Sequence, residues 1–125
     1  MLSFKQLESA VRAAKPIEPH STIRCYVHMG LEKAKSIHSC EGTKAVHLRM
    51  VDTLIETMCD SCLHQSWRKN CFRVLKQLTP LLHVMLEADE FQQKVYEIHQ
   101  LAHYFLGSDV SSHDISKLKI NHPKQ

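Results

Sequence analysis

The chain has 125 residues, an apolar fraction of 43% and a charged fraction of 23%. These are the values of one globular domain able to bury a core without metal or disulfide staples, and they exclude a disordered chain. The net charge of +3, with ten His counted as neutral, is weaker than the clustered imbalance of a dedicated nucleic-acid binder.

Only three Gly and four Pro are present, long windows carry helical periodicity, and strand alternation is hard to find. The expected fold is therefore all-α, a five- or six-helix bundle with short connections over residues 1–107, followed by a polar, basic tail over 108–125. Ser3 is placed to cap a first helix whose Phe4, Leu7, Ala10, Val11 and Ala14 form one stripe, ending before Pro16. Pro16 and Pro19 make the next segment a loop. Ser21 or Thr22 opens a second helix to about His38, with Ile23, Val27, Ala34 and Ile37 inward and Gly30 suited to a close helix crossing.

Cys40-Glu41-Gly42-Thr43 reads as a turn, with Thr43 capping a third helix from Lys44 to about His64. Its Leu48, Val51, Leu54, Ile55, Met58 and Cys62 point one way and Arg49, Asp52, Glu56 and Asp60 the other. Ser66 is a suitable cap for the helix that begins at Trp67, in which Trp67, Cys71, Val74 and Leu78 share a face. Thr79-Pro80 then reads as the cap and first turn of a new apolar segment to Leu86, expected to lie at the centre of the bundle. Asp89 with Gln92 resembles a capping box for a last long helix, which Gly107 ends. The tail offers one short helical turn from Ser112 to Lys117.

Five Cys is an odd number, and Cys59, Cys62 and Cys71 fall on apolar helix faces, as reduced core thiols do. The N-terminal stretch lacks the continuous apolar segment of a secretory signal, and the longest uncharged run, Gln77 to Leu86, is half a membrane span. A soluble, intracellular protein without membrane contact is expected.

Three constellations bear on function. On the second helix Arg24, His28 and Lys35, with His20 and His38, fall within an arc of roughly 80°. On the fourth, Lys69, Arg73 and Lys76, with Arg68 on the shoulder, make a second basic face; no acid occurs between Asp60 and Glu87. Side by side these faces would suit a phosphate backbone, with Trp67, Phe72 and Tyr26 available for stacking, although helical spacing makes those aromatics core residues first. Metal is the second constellation: Cys59, Cys62 and His64 lie close in sequence, and His99 with His103 is an i, i+4 pair, but each set is short of the four ligands of structural zinc, so no cofactor is expected.

The third is an apolar surplus on the later helices, including Met50, Met58, Met85, Tyr96 and Tyr104, which a protein partner or a second copy would cover. No Gly-rich phosphate loop or nucleophile elbow occurs, so an enzyme is not expected. The sequence thus points to a non-catalytic protein-interaction or regulatory module acting as a homodimer, with nucleic-acid binding as the alternative and a zinc-stabilised binding module third.

Overall fold

The computed structural model describes residues 2–17 and 21–107. The protein is all-helical, a bundle of α1 (Phe4–Arg12), α2 (Thr22–Lys35), α3 (Cys40–Met58), α4 (Gln65–Met85) and α5 (Ala88–Leu106). The tail, including the expected turn at 112–117, lies outside the described residues, as does His20.

Local chemistry sets the helix starts. Ser3 and Ser21 accept hydrogen bonds from the backbone N–H groups of Gln6 and Arg24, and Gln6 returns a bond to the Ser3 N–H, completing a capping box. Three expected boundaries are corrected. α3 begins at Cys40, because Ser39, not Thr43, caps it through the Gly42 N–H. Gly42 is thus inside the first turn, where a Cβ would come within 2.6 Å of Ile37 Cγ2; close approach, not turn geometry, explains the glycine. α4 begins at Gln65, with His64 Nδ1 accepting from the Ser66 N–H, and α5 starts under Glu87, whose N–H donates to Glu90 Oε1.

The fourth helix also differs from expectation in running unbroken through Pro80. Proline removes the donor that would serve the carbonyl of residue 76. Pro80 is exposed, so the loss falls on the solvent side, and Thr79 Oγ1 adds a bond to the Leu75 carbonyl.

α3, rather than the apolar end of α4, is the hub: it packs on α1, α2, α4 and α5. Met50, Leu54 and Met58 are fully buried along it, facing Tyr26 and Ile23 of α2 and Cys71, Leu75 and Leu82 of α4. Met50 and Met58 therefore belong to the monomer core and are not part of an exposed surplus. Gly30 performs the expected close crossing: a Cβ there would stand 2.1 Å from Met50 Sδ and 3.0 Å from Phe4 Cε1. Gly30→Ala gains about 1 kcal/mol of helix propensity but overpacks a buried contact at a cost of about 1–3 kcal/mol. Urea unfolding should show a net loss of about 1 kcal/mol; a neutral or stabilised variant would mean that Met50 moves aside freely.

Candidate functional site

Several charged and polar side chains tie helices together. The Glu8 carboxylate of α1 accepts from Tyr26 Oη on α2 at 2.6 Å. It also takes Arg49 Nε and Nη2 at 2.9 and 2.8 Å and Thr53 Oγ1 at 3.2 Å, both from α3. Burial pushes the Glu8 carboxyl up, but the Arg49 and Tyr26 hydrogen bonds and the Arg49 charge outweigh it and hold its pKa below the usual value. Burial and the Glu8 carboxylate push the Tyr26 hydroxyl well above its ordinary range, so it remains a donor. Phe4 stacks on the Tyr26 ring at 5.0 Å, and the Arg49 guanidinium lies over the Phe4 ring at 5.1 Å from its centroid. Tyr26 is thus core, and Glu8, unremarked in the sequence, is the centre of a polar network that joins α1, α2 and α3.

Arg68 is the chief correction among the basic residues. It is buried, with Nε donating to the Met58 carbonyl and Nη2 to the Phe105 carbonyl, both at 2.9 Å. α3 and α5 end at these carbonyls, so one guanidinium serves two negative helix ends. Trp67 donates its indole N–H to the Val11 carbonyl at 3.0 Å, and Arg12 reaches Thr57 and Asp60. Buried and bonded to two carbonyls, Arg68 is not placed to meet a ligand.

The α3–α4 connection holds three of the expected metal candidates, Cys59, Cys62 and His64. Cys59 caps α3 and Cys62 is exposed in the connection, which corrects its placement on a helix face: α3 ends six residues before His64, and Asp60 Oδ1 takes the Cys62 N–H. His64 Nδ1 is engaged with Ser66, while His99 and His103 belong to α5. Among the described residues no group of three or more His, Cys, Asp or Glu side chains is placed to hold a metal ion. Burial pushes the Cys59 thiol up and the Cys71 thiol to about 12, the opposite of an activated nucleophile.

The two basic stripes do not merge. Arg24 and His28 border an apolar groove of about 500 Å³ between α1 and α2, with Leu2, Leu7, Ile17, Cys25 and Met29. Lys35 pairs with Glu32 at 3.4 Å. α3 stands between most of α2 and α4, and the α4 cations border α5 instead. The Lys76 ammonium lies 4.8 Å from the Phe72 ring centroid, and Phe72 meets His99 of α5 edge-on at 5.6 Å. This brings the Lys69, Arg73 and Lys76 stripe beside the helix that carries His99 and His103, a juxtaposition that only packing reveals.

At one end of the bundle, the α2–α3 connection and the last turns of α4 enclose a cleft of about 470 Å³, lined by Ile37, His38, Ser39, Cys40, Thr43 and Lys44 against Val84 and Met85. Val84 is 82% exposed and Leu81, one turn earlier, 39%. Exposed aliphatic side chains on consecutive turns of a helix are the kind of surface a partner covers. Tyr96 and Tyr104, at 45% and 79%, remain from the expected surplus, and Met85 is half-buried.

The described residues contain no helix long and apolar enough to cross a membrane. No protein-family model, curated protein or solved structure matches the chain.

Proposed function

We propose that this bundle is a non-catalytic interaction module whose partner-binding face is the end formed by the last turns of α4 and the α2–α3 connection, and that it forms a homodimer there. The observation that carries this reading is the pairing of a knob with a hole. Val84 projects from α4 almost fully exposed, and immediately beside it lies an open cleft of about 470 Å³ lined partly by Ile37 and Met85. In a two-fold dimer each copy presents the same patch, so the Val84 of one chain seats in the cleft of the other and receives its counterpart. Lys44, Glu41 and His38 around the cleft supply a polar rim, the usual surround of a small apolar centre.

Multi-angle light scattering across protein concentration tests the proposal. The wild-type chain should move from monomer to dimer as concentration rises. Leu81→Glu with Val84→Glu should stay monomeric with unchanged helical circular dichroism, because both positions are exposed and buried charge at an interface centre is costly. A wild-type chain that remains monomeric at high concentration would contradict it.

A further inference from the structure

Away from the dimer cleft, we infer that the groove between α1 and α2 is a binding site for a small amphiphilic carboxylate of the fatty-acid class, with Arg24 holding the carboxylate and the apolar lining taking the chain. Helical spacing lays out the α2 wall of this groove as two parallel rows. Arg24 and His28 are one i, i+4 pair, and Cys25 and Met29 are the next, one position further round the helix. The first row is exposed and polar, with one permanent cation; the second is half-buried and apolar. Leu7, buried on α1, and Ile17, half-buried beyond it, continue the apolar lining, and Leu2, also in the lining, is 40% exposed.

The volume of about 500 Å³ lies in the range of small-ligand pockets. Its apolar lining is aliphatic and sulfur-containing throughout, a surface that adapts to a flexible alkyl chain. Charge selects the head group. None of the described residues lining the groove is acidic, and each wall helix carries a single acid that is engaged elsewhere: Glu8 of α1 with Tyr26, Arg49 and Thr53, and Glu32 of α2 with Lys35. Glu18, in the connection, lies outside the described residues. An exposed guanidinium beside an apolar concavity is complementary to an amphiphile with a negative head, and its planar fork matches a carboxylate. The size of the groove favours a small molecule over an acidic peptide helix, whose anchors at i, i+3, i+4 and i+7 need a longer apolar run than the Cys25 and Met29 pair supplies.

The test is a heteronuclear NMR titration of the full chain with sodium decanoate below its micelle threshold. Saturable shifts should appear at Leu7, Ile17, Cys25 and Met29, while Val84 in the dimer cleft stays in place. Octanoate, shorter by two methylenes, should bind about tenfold more weakly. Arg24→Gln, at an exposed position, should lose at least about tenfold in decanoate affinity with unchanged helical circular dichroism. Lys35→Gln, on the same helix but outside the groove, should leave affinity unchanged. Decan-1-ol, with the same chain and no charge, should bind at least about tenfold more weakly than decanoate and be insensitive to Arg24→Gln. Absence of saturable shifts with decanoate would overturn the assignment and leave the groove to a protein segment. Shifts centred on Val84, equal affinities for decanoate and octanoate, or equal affinities for decanoate and decan-1-ol would overturn it as well.

Discussion

Arg68→Met should lower the unfolding free energy by about 3 kcal/mol, although it replaces one long side chain with another and removes no apolar contact of note. The wild-type guanidinium donates to the Met58 and Phe105 carbonyls from a buried position. These groups belong to the last turns of α3 and α5, where carbonyls lack intrahelical partners and the helix dipoles are negative. Met fills the volume but leaves both acceptors unserved. Arg68→Lys should recover less than half of the loss, since a single ammonium cannot reproduce a planar fork that reaches two acceptors. Urea unfolding measures the loss, and amide exchange should quicken at 55–60 and 102–106 before anywhere else in the bundle. A loss below about 1 kcal/mol would mean that water replaces the guanidinium readily.

Glu8→Ala should be comparably severe, about 2–4 kcal/mol, because it strips four donor groups on three side chains of their acceptor at once. Tyr26 is fully buried, and its hydroxyl would be left with no carboxylate; Arg49 would lose both bonds of its fork. Glu8→Gln separates charge from shape: Oε1 can still accept from Tyr26, while the ionic attraction to Arg49 is gone. The folded Glu8 pKa lies below 4.5, so its contribution is complete above the unfolded value of about 4.5 and disappears as pH falls through the folded value. The stability gap between the wild type and Glu8→Gln should thus be largest near pH 7 and close at strongly acidic pH. Asp60 and Glu90, held low chiefly by hydrogen bonds from the Cys62 backbone and from Lys44, titrate in both chains and cancel from the comparison. A gap that is constant with pH would assign Glu8 a purely steric role.

How far the sequence could be read follows the range of the interactions concerned. Ser3, Ser21 and Gly107 mark helix ends through bonds to residues within a turn, so local pattern suffices for them. The all-helical class follows from the spacing of apolar residues alone. Pro80 misleads because a proline reads as a break wherever it falls, whereas its missing donor here faces solvent. Helical periodicity puts Arg68 on a basic shoulder, because its acceptors lie 10 and 37 residues away along the chain, beyond any periodicity argument. Met50 and Met58 read as surplus on one helix but are core because α3 touches every other helix. The same limit hid Glu8 as a network centre, the α1–α2 groove and the Val84 cleft, each assembled from segments distant in sequence.

Photocrosslinking from position 84 tests the central proposal most directly. With Val84→p-benzoylphenylalanine in an otherwise native chain, irradiation should yield a covalent dimer whose mapped peptides join position 84 to residues 37–44 or 84–85 of the other copy. A product that stays monomeric, or a dimer whose crosslinks fall on other helices, would contradict the account.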